Sequence, residues 1–343
     1  MKIALILGNG FDIKIGIDTR YTDFYSFFLT QEAVKRPINV NGGIATTNHP
    51  ELVKMIQNSS SKYWSDLELL LGNSIRGFGS VDIIRREKSY LEEQINSYLC
   101  KQQSRVQIDR NRQSELRSQL DSTITNFTNI CNYDDENNFY DVEFITFNYT
   151  DVIDRIVESA NINEHSNIVY HKPYHIHGTI DQTVIFGVDN EKQYIYPTNS
   201  RGEIEELKTI MQKTALNSML RSNEVYNIKK VIHNMDAIII YGASIGETDA
   251  TWWKTISEWL FMGSGHRVSI IGYVDSSYPS SATNQVQIIE YENQFRRFMS
   301  SKYKGQERKN MVETYRNEEW MFGFSPSVVC VKPRGAFDNL IVE

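Results

Sequence analysis

Residues 5–24 read LILGNGFDIKIGIDTRYTDF, an apolar run that breaks into Gly8-Asn9-Gly10 and continues through Phe11, Asp12 and a further glycine, Gly16. Ile3 to Leu7 is unbroken apolar sequence bounded by glycine, the pattern of a strand buried on both faces of a parallel sheet. Gly8 and Gly10 permit positive φ and close approach by a ligand, and a helix following the turn offers free N–H groups to a phosphate. A dinucleotide is the obvious guest. The spacing of Gly8, Gly10 and Gly16 departs from G-x-G-x-x-G, and no ribose-binding acid follows on a second strand about 20 residues on, which disfavours an ordinary Rossmann dehydrogenase. Alone, a G-x-G turn is equally well read as a tight strand-to-helix connection. Asp12 is ill suited to a pyrophosphate, and its plain role is to cap the helix or hold loop amides.

The same strand-turn-helix pattern returns twice. VEFITFN (142–148) leads into YTDVIDRIVESA, where Val152, Ile153, Ile156 and Val157 form one apolar helical stripe. MDAIIIYGASIGETDATWWKTISEWL places a strand at Ala237–Tyr241 and a buried stripe at Trp252, Ile256, Trp259 and Leu260, and RVSIIGYV (267–274) reads as the neighbouring strand. Strands alternating with helices predict an α/β fold whose parallel sheet is covered on both sides. Ligands bind outside the carboxyl ends of such strands, so GNGFD, FNYTD and GASIGETD are expected to converge on one crevice.

Between these units the reading is coarser. Tyr21, Phe24, Tyr25 and Phe28 stand at helical spacing, with Thr19 or Thr22 as a cap. From 51 to 132 strand signals nearly vanish, which predicts a helical insertion within a single domain spanning 1–343. Its Trp64, Leu67, Leu70 and Leu71 offer apolar surface for assembly or, on the plainer reading, for packing as a lid. KQQSRVQIDRNRQSELRSQLDS mixes both charges at i, i+3 and i+4, as a solvated helix face does. IVYHKPYHIHG (168–178) and TVIFGVD (183–189) are expected as short strands, followed by a mainly helical stretch from Glu203 to His233.

Bulk properties narrow the function classes. At 343 residues and 40% hydrophobic content the chain can bury a sizeable core. A net charge of -7 disfavours nucleic acid and anionic membrane as partners. Cys100, Cys131 and Cys330 stand far apart, without a zinc-type pair or a disulfide framework, which suits a reducing cytoplasm. The first apolar run is too short for a signal peptide, and no stretch approaches the ~18 apolar residues of a membrane span.

The turns carry the candidate chemistry. Asn148 ends an apolar strand, where its amide can serve a sugar hydroxyl or a water; it can equally be a turn asparagine. Among His171, His175 and His177, strand alternation puts the last two on one face. A metal is conceivable there, but no third ligand stands at metal spacing. His177 precedes Gly178, so a substrate can approach, and it suits general-base work. Glu247, Thr248 and Asp249 open the Trp-rich helix, where an acid ordinarily caps. Gly242, Ser244 and Gly246 also spell a nucleophile elbow with Ser244 as nucleophile, but only His266 follows it and stands at a strand start.

GNGFD, WSDLE (64–68), TFNYTD, HIHG and GASIGETD with its Trp-Trp pair together resemble the AbiH family of bacteriophage abortive-infection proteins, from residue 5 to about 260. These motifs also look like a diverged sirtuin-type, Rossmann-like NAD-binding fold, with GNGFD similar to its G-A-G-x-S turn and TFNYTD to its T-Q-N-x-D turn. HGT is similar to its H-G-S, and GAS to its G-T-S. The resemblance implies a pocket in which Gly8, Asn9, Gly10, Phe11, Asp12, Asp151, Gly242, Ser244 and Asp249 bind the dinucleotide and Asn148 and His177 act on it. The sirtuin zinc cysteines are absent, so the implied reaction is NAD hydrolysis rather than protein deacylation. NAD is then substrate, with no cofactor or metal required. The implied partners are NAD or a related nucleotide, and a second copy or a defence-system protein. The alternative is a nucleotide-binding sensor or interaction protein without turnover, and a third, weaker one keeps the fold but transfers or cleaves nucleic acid.

Overall fold

In a computed structural model of the protein, the opening strand, β1, spans Lys2–Leu7 and is buried from Ile3 onward. The structure describes residues 1–35, 49–57, 64–130, 139–158, 167–182, 184–196, 200–263, 266–271, 290–291, 293–299, 312–316 and 327–331. Ile3, Leu5 and Leu7 face one hydrophobic cluster, together with Phe11 and Phe144. Ala4 and Ile6 face another, with Trp253 and Trp259. Two covered faces explain why β1 shows no polar alternation.

Along the chain follow α1 (Asn9–Lys14), α2 (Tyr21–Lys35), α3 (Pro50–Gln57), α4 (Trp64–Phe78), α5 (Val81–Arg105), α6 (Arg110–Ile130), β2 (Tyr140–Thr146) and α7 (Val152–Glu158). Then come β3 (Ile168–Tyr170), β4 (Tyr174–His175), α8 (Arg201–Met211), α9 (Lys213–Leu220), α10 (Ser222–His233), β5 (Ala237–Tyr241), α11 (Ala250–Leu260), β6 (Arg267–Ile271), β7 (Val312–Arg316) and β8 (Ser327–Val331). The sheet order is β3-β2-β1-β5-β6-β8-β7, with β4 also on β2. Strands β1 to β6 pair in parallel, while β8 and β7 extend the β6 edge antiparallel. This is the Rossmann-like α/β architecture the strand-helix alternation predicts.

The chain order reverses at β1, which has β2 on one side and β5 on the other. Leu7 pairs with both Thr146 and Tyr241, so these three strands end at one level. Their turns therefore start together at the switch point, where open α/β sheets bind ligands. The turns of β1 and β5 are in backbone contact: Gly8 N–H donates to Tyr241 O (2.9 Å) and Gly10 N–H to Gly242 O (2.7 Å). A Cβ on Gly8 would lie 2.3 Å from Ala243 Cα, and one on Gly10 2.7 Å from Gly242 Cα. Gly242 itself has φ +62.

One sequence expectation about the fold needs revision. The segment TVIFGVD forms no strand over its described residues, 184–189, and only Val188 makes a bridge, to Gln212. Thr183 lies outside the described residues, as do 272–274 of RVSIIGYV. The stretch Glu203–His233 is mainly helical as expected, in three helices broken at Gln212 and Arg221. The Gln212 break is held from afar, since Val188 N–H donates to Met211 O and Lys213 N–H donates to Val188 O.

The helical run at 51–132 contains α3 to α6, with residues 131 and 132 outside the described part. Its members divide between two cores. Leu67 and Leu71 of α4 and Ile84, Leu91 and Tyr98 of α5 are buried with Tyr21, Phe24 and Phe28 of α2. Leu116, Leu120, Ile124 and Phe127 of α6 instead cover the sheet. The α4 stripe is thus inside a core; the side chain of Trp64 lies outside the described residues. Among the described residues no helix is long and apolar enough to cross a membrane.

Gly10→Ala is expected to lower the urea midpoint sharply, because its new methyl meets backbone rather than a movable side chain. Gly77→Ala in α4, where a Cβ meets nothing within 4 Å, should raise stability by roughly 0.5–1 kcal/mol. Equal effects of the two substitutions would remove the close turn contact as the constraint on Gly10.

Candidate functional site

Asp12 sits in α1, 2% exposed, beneath the turn of β2. Asn148 Nδ2 donates to Asp12 Oδ1 (2.9 Å) and to Gly8 O (3.0 Å), and Thr150 Oγ1 donates to Asp12 Oδ2 (2.8 Å). The carboxylate therefore joins two turns through side chains, and it neither caps α1 nor holds loop amides as its sequence position suggests. The N-cap of α1 is Gly8, without a side-chain cap. Burial pushes the Asp12 carboxyl up to about 7, against the pull of Thr150 and Asn148. Asn148 has committed its amide nitrogen, and its Oδ1 takes no part in these bonds.

The phosphate-cradle reading of the glycine turn also changes. Gly8 has φ -117, and neither Gly8 nor Gly10 has positive φ; the amide of Gly10 is spent on Gly242 O. These glycines are required by the neighbouring turn. Phe11 is buried in the sheet core, its ring edge-on to Tyr241. Asn9 Oδ1 accepts from Thr19 Oγ1, tying the turn to the approach of α2. Asp151 pairs with Arg155 (2.9 Å), while its backbone N–H donates to Gln103 Oε1 in α5 (3.0 Å).

A second group forms around His177. His177 Nε2 donates to Asp249 Oδ1 (2.8 Å), and its ring lies near Phe147 and Tyr149, the neighbours of Asn148. Lys213 Nζ lies 2.8 Å from the same Asp249 Oδ1 and 3.0 Å from Glu68 Oε2. Gly187 N–H donates to Glu68 Oε1 (3.3 Å). His177, Lys213 and Glu68 are all buried. Burial and then Lys213 hold the His177 pKa below its ordinary value, so the imidazole is neutral at neutral pH. With Asp249 accepting from Nε2, the lone pair is on Nδ1. Nδ1 is buried with no hydrogen-bond partner among the described residues.

Burial opposes charge on both Asp249 and Lys213, but it is outweighed by Lys213 and His177 together at Asp249 and by Asp249 and Glu68 together at Lys213. Asp249 is held well below the usual carboxylate range and Lys213 above its own. Glu68 is pushed up to about 7 by burial despite Lys213.

Asp249 stands at the N-cap of α11, yet its side chain caps nothing. Asp189 does that work from a distant loop, with Thr251 N–H donating to its Oδ1 (3.0 Å). The carboxylate that sequence assigns to capping is thereby released to His177 and Lys213. Glu68 and Lys213 are the functional candidates that sequence reading did not single out. Glu68 had a signal, since it lies three before buried Leu71 and seven before buried Ile75 on the apolar face of α4. Lys213 had none, because its inward placement follows from the remote bridge at Gln212.

The remaining histidines have other partners. His175 Nε2 faces Asp154 Oδ2 (2.7 Å) and Nδ1 faces Asn148 O (3.2 Å), so His175 and His177 diverge despite their spacing. His171 pairs with Asp141. His266 is stacked on Trp259 and bonded to its carbonyl (2.6 Å), while Ser244 is exposed without a histidine partner among the described residues. The elbow reading is therefore not assembled. Among the described residues no three or more His, Cys, Asp or Glu are grouped to hold a metal ion.

Polar turns gathered at the β1/β5 switch point of a parallel sheet define a Rossmann-like α/β protein with its candidate site at the carboxyl edge. The family model described as Bacteriophage abortive infection AbiH matches residues 4–269, from β1 into β6 and including both polar groups. The chain belongs to this family, which gives it a role in phage abortive infection. Among curated proteins none matches it.

Because the folded pKa of Asp12, about 7, exceeds its ordinary 3.8, its contribution to stability is full below the unfolded value and is lost as pH rises through the folded one. Urea unfolding at about pH 5 and about pH 8 should show wild type losing stability across this range and Asp12→Asn losing less. Glu68 leaves a residual fall of the same sign. An identical fall in the variant would show that Asp12 is not a protonated buried acid.

Proposed function

We propose that the protein is an abortive-infection effector that hydrolyses NAD to nicotinamide and ADP-ribose, so that loss of NAD stops the infected cell. The observation that carries this reading is His177, whose Nε2 is held by Asp249 while its buried Nδ1 has no partner among the described residues. A neutral imidazole with one nitrogen fixed and the other unbonded is the form a general base needs. The order of GNGFD, TFNYTD, HIHG and GAS along the chain, similar to the sirtuin-type NAD fold, supports NAD as substrate.

The bond to be broken sets the demands. Nicotinamide leaves a pyridinium as a neutral molecule, taking the C1′–N electron pair, so no general acid is required. Positive charge develops on the ribose, and water must reach C1′ from the opposite face. His177 Nδ1 takes a proton from that water or from a ribose hydroxyl, a contribution of about 10²–10⁴ in rate. The Asn148 Oδ1 orients the water or ribose hydroxyl, since its amide nitrogen is already committed. The acids at this edge, Asp249 above all, favour the developing cation.

A second reading has its own support: a site that binds nucleotide without turnover, acting as a sensor. The Gly10 amide and the Asn148 amide nitrogen are occupied by the fold, which leaves fewer donors for catalysis than a G-x-G turn suggests.

Purified protein incubated with NAD, with and without extract from phage-infected cells, should release nicotinamide. His177→Ala should reduce this by at least about 100-fold. Undiminished release by the variant would overturn the assignment. Calorimetric binding of NAD without nicotinamide in the products would favour the sensor.

A further inference from the structure

Lys213 is a buried cation that the reaction above does not use. It lies at the start of α9, where the bridge between Val188 and Gln212 breaks the helix and turns the chain inward. Gly187, at φ +151, makes that approach possible, because a Cβ there would lie 2.3 Å from Met211 O. The ammonium then stands between two carboxylates, Asp249 Oδ1 at 2.8 Å and Glu68 Oε2 at 3.0 Å. Asp249 Oδ1 is shared, since His177 Nε2 donates to the same oxygen. Glu68 comes from α4, whose other buried residues belong to the helical core with α2 and α5. The helical core thus reaches His177 through three consecutive polar contacts.

We propose that Glu68 and Lys213 are positioning residues: the Lys213 ammonium, anchored by its hydrogen bond to Glu68, fixes the Asp249 carboxylate on His177 Nε2, and so couples the α2–α5 helices to the imidazole that acts as base. A shift of α4 that withdrew Glu68 would leave Lys213 wholly to Asp249, drawing that carboxylate's charge away from the imidazole. This inference rests on the reading of His177 as the base. Asp249, Lys213, Arg221 and Tyr149 are the titratable or charged groups that face His177, and Glu68 faces Lys213 and Tyr149 behind them. The coupling predicts opposite responses to two substitutions. Removing the Lys213 charge leaves Asp249 to His177 and strengthens imidazolium. Removing the Glu68 acceptor concentrates Lys213 on Asp249 and weakens it.

The test is the titration of His177 followed by NMR of its ring, identified by comparison with His177→Gln. Lys213→Met should raise the His177 pKa by about one unit or more. Lys213→Arg should keep it near wild type, as should Glu68→Gln, which retains an acceptor oxygen, while Glu68→Leu should lower it. No movement, or movement of Lys213→Met and Glu68→Leu in one direction, would overturn the coupling, as loosened packing would expose the imidazole in each. If Lys213→Met does not fold, Glu68→Leu decides alone, and a pKa that fails to fall overturns the proposal. The titration needs no turnover. Wild type that releases no nicotinamide would remove the NAD reading while the titration still judges the coupling, and the acid limb of any activity profile should follow the same two shifts.

Discussion

The contact between the turns of β1 and β5 sets the geometry on which the site depends. Gly10 N–H reaches Gly242 O, and Gly8 lies against Ala243 too closely to admit a Cβ. One neutral hydrogen bond contributes only about 1 kcal/mol, so the constraint is chiefly steric. Its consequences are spatial. Because α1 starts immediately after Gly8, Asp12 falls beneath the end of β2, where Asn148 reaches both its carboxylate and the Gly8 carbonyl. A wider turn would displace all three groups.

The two polar groups solve one problem in different ways. A carboxylate removed from water loses its hydration, and a single interaction rarely makes up the loss. Asp12 meets this by protonating near neutrality while Thr150 and Asn148 hold it. Asp249 stays ionised because Lys213 and His177 offset its burial. That choice required another group to cap α11, and Asp189 supplies it from a loop far away in sequence. The site is thus assembled from elements whose local needs are met elsewhere.

How much was legible varied with how local the cause was. The strands β1 and β5 and the stripes of α7 and α11 follow from residues a few positions apart, and the structure has them where periodicity puts them. The convergence of the three turns was also legible, because it follows from alternating strands and helices. By contrast, TVIFGVD has strand composition but bridges only at Val188, and that bridge breaks the helical stretch from Glu203 at Gln212, a position that periodicity did not mark. Asp249 looked like a cap, and nothing nearby announced that Asp189 would replace it.

The sequence by itself determined the parallel α/β sheet, the family and the set of turns at its carboxyl edge, since apolar periodicity and glycine placement act over short distances. Tertiary structure alone decided what those turns face. It directed the glycines to each other, Asp12 to Asn148 and Thr150, and Asp249 to His177 and Lys213. The physical reason is that a buried charge or amide takes whichever partner the packed chain brings within about 3 Å. For Glu68 and Lys213 that partner is 145 residues away in sequence.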